Sequence, residues 1–293
     1  MNQTTQQTLE SAQQENLEVP PLAPSSPGAN VLLMGETGSG KTYCIRTLIE
    51  CGITPFVIAT EPGIADTLGD IPPDQLHWHY VAPAMVPWSA LIETATKINT
   101  LSFEALSKAG GLSKQKYAQF IQFLNTCNNF TCDRTGEAFG DVSSWGPDRA
   151  LVVDTMTGLS KMAMDLVIGG KPTASPGDWG VAMKNLEQAI GTLTNGTRCW
   201  FILTAHLERE RDEVTGAVKL MPSTLGQKLS PKIPRNFSDV ILCKQEQGRW
   251  FWETASTSQI DLKARNLPVA SGMKPSFVAL VENWKRKGGR IGG

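Results

Sequence analysis

The sequence predicts an α/β protein: a mostly parallel sheet flanked by helices, with a β-rich closing part towards the C-terminus. Three observations predict it. Apolar runs of about four residues, short enough for buried strands, alternate along the chain with segments of helical period. A Gly-rich stretch, residues 35–42, joins the first of these runs to the first helical segment. Glu61, Asp154 and His206 each stand just past an apolar run, where parallel strands bring their carboxyl ends, and whatever they carry, to one edge of the sheet.

Residues 1–28 are rich in Gln, Thr, Ser and Glu and close with Pro20, Pro21, Pro24 and Pro27, a composition that predicts a disordered tail. Residues 29–270 predict one core, and 271–293 a C-terminal segment with a basic tail of Lys285-Arg286-Lys287 and Arg290. Val31-Leu32-Leu33-Met34 reads as a buried strand, with Ile45, Leu48 and Ile49 at helical spacing after the loop. Phe56-Val57-Ile58-Ala59 is a second strand and residues 77–81 a third. Residues 88–128 are mainly helical, broken at Gly110-Gly111, and the aperiodic stretch up to Pro147 predicts a surface loop.

Ala150-Leu151-Val152-Val153 is the next strand and ends in Asp154; a helical segment, 159–168, follows it and stops at Gly169 and Gly170. Asp178 is the expected N-cap of a helix whose apolar face includes Trp179, Met183, Leu186, Ile190 and Leu193. Residues 199–204 form a strand before His206, and 208–219 predict an exposed, charged loop. Residues 240–243, 249–253 and 258–264 are short strand candidates, the first two joined across Glu246-Gln247-Gly248.

With 293 residues, 41% hydrophobic and 19% charged, the chain can bury a sizeable core. Apolar runs stay far below the roughly 20 residues of a bilayer span, and residues 1–28 lack a secretory pattern, so a cytoplasmic location is expected. Six scattered cysteines read as reduced thiols, and Cys127 with Cys132 lacks the companions of a zinc site. His77 and His79 share a strand face without an evident third ligand. A net charge of −1 excludes a uniformly basic nucleic-acid surface and leaves only a local patch.

Gly35-Glu36-Thr37-Gly38-Ser39-Gly40-Lys41-Thr42 fits a phosphate loop in its proper place between strand and helix. The glycines let backbone N–H groups turn towards phosphate oxygens, Lys41 adds a charge at the β and γ positions, and Thr42 offers its hydroxyl to Mg²⁺. Asp154 has the position of the carboxylate that supports the metal, the alternative being a capping Asp. Glu61 is placed to orient or deprotonate an attacking water, or else is a solvated loop carboxylate. His206 is placed to sense a γ-phosphate, or else is structural.

Together, GETGSGKT, the strand ending in Glu61, LVVD at 151–154 and TAH at 204–206 resemble the RecA-type ATPase core. Met221-Pro222-Ser223-Thr224-Leu225-Gly226 and Phe237-Ser238-Asp239-Val240 more narrowly resemble the short phage-encoded RecA-like proteins of the single-strand annealing group. The resemblance covers about residues 30–270. It implies a RecA-like sheet, ATP and Mg²⁺ as cofactors, nucleotide contacts from residues 35–42 and Tyr43, and metal contacts from Thr42 and Asp154. Glu61 then corresponds to the catalytic carboxylate and His206 to the sensor.

Lys263-Ala264-Arg265 is similar to the element by which such ATPases reach into a neighbour's site, the alternative for Arg265 being a surface charge. Lys228 and Lys232 are rival candidates. Residues 158–177 and 207–227 occupy the positions of the two DNA-binding loops, although Glu208, Glu210, Asp212 and Glu213 oppose Arg209, Arg211 and Lys219. The partners implied are single-stranded DNA, further copies of the chain in a ring or filament, and a single-strand-binding protein, in a phage-infected host cytoplasm. A ring-type DNA motor, or an assembly protein clamped by nucleotide without DNA, are the competing readings.

Overall fold

The computed structural model describes residues 26–83, 87–102, 104–105, 117–169, 173–211, 216–226 and 228–291. The expectations for a tail over residues 1–25, for a break at Gly110-Gly111 and for Gly170 lie outside the described residues. Val31 to Met34 form most of strand β1 (Asn30–Gly35), and the other apolar runs become β2 (Thr54–Ala59), β6 (Arg149–Asp154) and β7 (Trp200–Ala205). Apolar side chains at successive positions suit strands covered on both faces, because neighbouring residues point to opposite sides. Thus Leu32, Phe56, Leu151 and Phe201 pack in one core, while Val31, Val57, Val152 and Ile202 pack in the other.

These strands join β3 (His77–Tyr80), β10 (Asp239–Glu246), β11 (Arg249–Glu253) and β12 (Lys263–Ala264) in an eight-stranded sheet among the described residues. The order is β11-β10-β1-β7-β6-β2-β3, with β12 also paired to β10. The pairings from β10 through to β3 are parallel, whereas β11 and β12 run antiparallel to β10. The sheet is therefore mostly parallel, flanked by helices, with antiparallel strands near the C-terminus, as the sequence predicts. β7 separates the phosphate-loop strand from the strand of Asp154. The parallel registers set Ala59 beside Asp154 and Met34 beside Ala205, so the polar residues that follow gather at one sheet edge.

Several local expectations change. The Gly-rich loop leads into a 3-10 helix, Tyr43–Cys51, whose Cys44, Ile45 and Leu48 are buried. Short α1 (Ile64–Leu68) follows β2, and α2 (Trp88–Thr100) and α3 (Gln119–Asn128) supply the long helical stretch. The expected surface loop at 129–147 instead contains a hairpin, β4 (Phe130–Thr131) with β5 (Ala138–Gly140), and a 3-10 turn, Val142–Ser144. Phe130, Phe139 and Trp145 pack their rings 5.3, 4.8 and 4.5 Å from Phe56. Elements of two or three residues show no period, but burying these aromatic rings holds them to the core.

Helix α4 (Met156–Ile168) starts three residues earlier than expected, with Thr155 as its N-cap, so most of the proposed loop at 158–177 is helical. Helix α5 (Pro176–Gly196) is capped by Ser175 and not by Asp178. Pro176 presets the first helical turn, and Asp178 reaches back 2.8 Å to the Ser175 N–H in a capping box. The expected charged loop at 208–219 is instead largely a hairpin, β8 (Leu207–Arg211) with β9 (Val218–Pro222), with Asp212 and Glu213 outside the described residues. Of the strand candidate 258–264 only β12 forms, because Thr257 N–H bonds Ile260 O in a turn.

Helix α6 (Val278–Arg286) buries Leu280, Val281 and Trp284 in the second core. The Trp284 indole N–H donates to Pro27 O at 2.8 Å and its ring packs edge-on to Trp200, 5.0 Å away. All six cysteines are free thiols, and burial pushes Cys127 and Cys243 up to about 12 and Cys199 up to about 11. Cys127, Cys199 and Cys243 are therefore protonated at neutral pH. Among the described residues no helix is long and apolar enough to cross a membrane.

Candidate functional site

β1 ends at Gly35, where a Cβ would stand 2.4 Å from Ser39 Oγ and 2.5 Å from the backbone oxygen of Cys243 on β10. Only glycine lets the loop turn this close to its neighbouring strand. Gly40 has φ 83°, and its bare Cα lies under the indole of Trp250. Lys41 is buried, and its ammonium donates to Gly35 O at 2.8 Å and Glu36 O at 2.9 Å, with Ser39 Oγ at 3.5 Å. Burial lowers its pKa, while Cys243, Asp154, Glu61 and Glu36 oppose the shift. Held by acceptors that a phosphate oxygen can replace, the ammonium is ready to pair with an anion in the loop.

The strand ends meet this loop. Asp154 Oδ2 accepts from Thr42 Oγ1 at 2.7 Å, and its other oxygen accepts from Thr204 Oγ1 on β7. Behind it, Thr60 Oγ1 accepts from Thr155 N at 2.8 Å and donates to Thr155 O at 3.0 Å, tying β2 to β6. Thr155 Oγ1 then donates to Glu61 Oε1 at 2.9 Å, and His206 Nε2 lies 3.6 Å from Glu61 Oε2. One threonine thus fixes one oxygen of Glu61, and the other faces the imidazole.

A cavity of about 350 Å³ opens over these groups; Lys41, Thr42, Glu61, Asp154 and His206 all line it. Thr42 and Asp154 offer a hydroxyl and a carboxylate oxygen 2.7 Å apart, the hard oxygen donors that Mg²⁺ selects. They fit the metal, and they are the residues that would hold it. When bound with a triphosphate, Mg²⁺ neutralises charge on the phosphate oxygens. Gly35, with no room for a Cβ, and Gly40, held at φ 83° beneath Trp250, likewise fit a loop that wraps phosphates closely.

Tyr43 and Trp250 also line the cavity, their rings stacked 5.6 Å apart. Sequence reasoning missed Trp250, Thr60, Thr155 and Thr204. Trp250 had one available signal. If β10 lies parallel to β1, the turn at 247–248 returns the chain to the phosphate-loop edge, and β11 must begin there.

Lys263 and Arg265 are not brought to this cavity. The Lys263 ammonium donates to Phe237 O at 2.9 Å and to Pro234 O and Arg235 O, both at 3.3 Å, capping the 3-10 helix Ile233–Asn236. Burial and the nearby Arg265 lower its pKa. Arg265 follows β12, and its backbone oxygen accepts from Lys287. Of the rival lysines, Lys232 lies 3.8 Å from Glu187. His77 stacks on Phe56 at 4.7 Å, and His79 pairs with Asp133 at 2.9 Å.

A phosphate loop on a mostly parallel sheet, with a carboxylate bonded to the loop's threonine, defines a P-loop ATPase. The chain belongs to the AAA domain family, whose model matches residues 28–266. No curated protein matches the sequence. Among solved structures it is similar to a prototypical ATPase from the type III secretion system of pathogenic bacteria, at 14% identity and TM-score 0.34. That similarity covers 75% of this chain and 53% of the other, so the chain spans about half the length of that protein. It is also similar to the flagellar accessory protein FlaH from Methanocaldococcus jannaschii, at 8% identity and TM-score 0.33, covering 78% of each chain.

Proposed function

We propose that the chain binds ATP with Mg²⁺ in the loop at 35–42, hydrolyses it with Glu61 as general base, and acts as an oligomer on single-stranded DNA in phage recombination or annealing. The observation that carries the hydrolytic part is the placing of Glu61: one oxygen bonded to Thr155 and the other beside His206, on the cavity that Lys41 enters. Lys41 binds the β and γ phosphates, and the loop N–H groups hold the triphosphate in line. Glu61 orients a water and accepts its proton at Oε2 as the oxygen attacks the γ-phosphorus; the bond from that phosphorus to the β,γ-bridging oxygen breaks, and ADP leaves with the charge on its β-phosphate held by Lys41, giving inorganic phosphate. A positioned base of this kind contributes about 10²- to 10⁴-fold.

His206 is the γ-phosphate sensor in this reading. β8 begins at Leu207, directly after His206, and Ser223 N–H, just past β9, bonds His206 O at 2.8 Å. A shift of the imidazole therefore reaches both ends of the β8–β9 hairpin. Arg209 and Arg211, on one face of that hairpin, form the local basic patch that meets DNA, whereas Lys219, paired with Asp261, shares the other face with Glu208 and Glu210. The choice of single-stranded DNA, and of a phage setting, rests on the resemblance of residues 221–226 and 237–240. Arg265 completes the site of an adjacent subunit in the same reading.

The test is ATP turnover at low salt with and without a single-stranded oligonucleotide. Stimulation is expected in the wild type, and Lys41→Ala should abolish nucleotide binding and turnover together. An unchanged rate on adding the oligonucleotide overturns the DNA assignment, and strand displacement on a forked substrate points to a motor instead.

A further inference from the structure

Trp250 lies outside the phosphate-loop motif by more than two hundred residues, yet it is built onto that loop. Its indole N–H donates to Gly38 O at 2.9 Å, and its ring sits where a Cβ on Gly40 would come within 3.3 Å. The turn that delivers it, Gln247-Gly248, has φ 50° and 76°, and β11 then runs back from the phosphate-loop edge. Its ring stacks on Tyr43 at 5.6 Å and 26°, and Arg46 covers the Tyr43 ring at 4.0 Å.

These aromatics are not spent on the core, for Tyr43 remains 45% and Trp250 43% exposed, and both line the phosphate-loop cavity. With Glu61 read as the base that activates water, Glu61, Asp154 and His206 mark the γ-phosphate end of that cavity. A triphosphate held between them and the loop must send its α-phosphate, ribose and base towards residues 40–43, where the aromatic wall stands.

We propose that Trp250, with Tyr43, is the base-binding surface of the nucleotide site, selecting a nucleoside triphosphate over inorganic triphosphate by stacking. The inference rests on the reading of the loop as an ATP site and deepens it. Stacking of a base on an aromatic ring is tolerant of which base is present, because every base has a π-face. The surface therefore favours a nucleobase as such. The alternative task for the indole, bracing the loop through Gly38, supports all phosphate ligands alike.

Calorimetric titration of the full chain with Mg-ATP and with Mg-tripolyphosphate separates the two tasks. Trp250→Ala should weaken ATP by about tenfold or more while changing tripolyphosphate less than about threefold, and Trp250→Phe, which keeps a ring but no N–H, should stay close to wild type for ATP. Equal losses for both ligands in Trp250→Ala, or no loss for either, overturn the proposal. A fluorescence readout needs no alanine variant: ATP but not tripolyphosphate should quench the wild type, and Trp250→Phe should lack that quenching. Quenching that survives in Trp250→Phe contradicts the proposal. Wild type that binds neither ligand overturns the ATP reading itself, and the wild-type titration shows that before any variant is compared.

Discussion

The hydroxyl of Thr155 donates to Glu61 Oε1 at 2.9 Å and accepts from Gly158 N at 3.3 Å, so one side chain aims the carboxylate and starts helix α4. Thr155→Val keeps the volume and deletes both bonds. Losing an N-cap costs about 0.5–2 kcal/mol, so the unfolding free energy from denaturant titration should fall by that amount. Turnover should fall about tenfold, the carboxylate being free to rotate off line, at unchanged ATP affinity. Thr155→Ser should restore both. A valine variant with wild-type turnover would show that the hydroxyl does not position Glu61.

Gly158, in the first turn of α4, belongs to the same junction at the scale of elements: a Cβ there would meet Thr60 Oγ1 at 2.2 Å and Thr60 Cβ at 2.8 Å. Gly158→Ala must push helix α4 from the end of β2 and break the Thr60–Thr155 pair. ATP binding should persist while turnover drops at least about tenfold, since only the Glu61 side of the site moves. Intact turnover would refute this coupling. On β3, burial lowers the pKa of His77, with Arg134 and Arg149 adding to the effect against Glu137 and Asp74. Its Nδ1 is buried without a hydrogen-bond partner among the described residues, and its ring packs on Phe56 and Phe139.

With the folded pKa below the unfolded value of about 6.5, His77 contributes stability in full above that pH. The contribution is lost as pH falls through the folded pKa, because the unfolded chain binds the proton first. Denaturation midpoints measured from pH 7.5 to 5 should therefore fall less steeply in His77→Phe than in wild type; identical slopes would remove this residue from the acid sensitivity. The strand ends were legible in the sequence at this scale, since a buried apolar run fixes which residue follows it, and that placed Glu61, Asp154 and His206. Thr60, Thr155 and Thr204 were not, because a threonine at a strand end looks the same whether it bonds a carboxylate or water. Ser175 was passed over for Asp178 because both fit a cap, and only the preset φ of Pro176 decides between them.

For the whole molecule, the sheet order keeps Arg265 away from its own phosphate-loop cavity while fixing where it stands. Buried Asp239 accepts from Asn266 N and Nδ2, both at 2.7 Å, and Lys287 holds the Arg265 and Asn266 oxygens. A guanidinium on so fixed a base suits a site completed by a second copy. Arg265→Ala should leave ATP affinity within about threefold yet remove the rise of specific activity with protein concentration that the proposed assembly should give; a transferred arginine contributes about 10³- to 10⁵-fold. Wild-type activity at every concentration would end the assignment. Nothing in the sequence could reveal that Lys263, two residues earlier, has its ammonium bound by three carbonyls of its own chain.

The claim that this site hydrolyses ATP through Glu61 is tested most directly by Glu61→Gln, with ATP affinity and single-turnover hydrolysis measured on the same preparation as wild type. Gln keeps the size and can still accept from Thr155, but it cannot take a proton from water. Affinity within about threefold of wild type and a rate lowered by about 10²-fold or more is the expected result. A Glu61→Gln protein that hydrolyses ATP at the wild-type rate would contradict it.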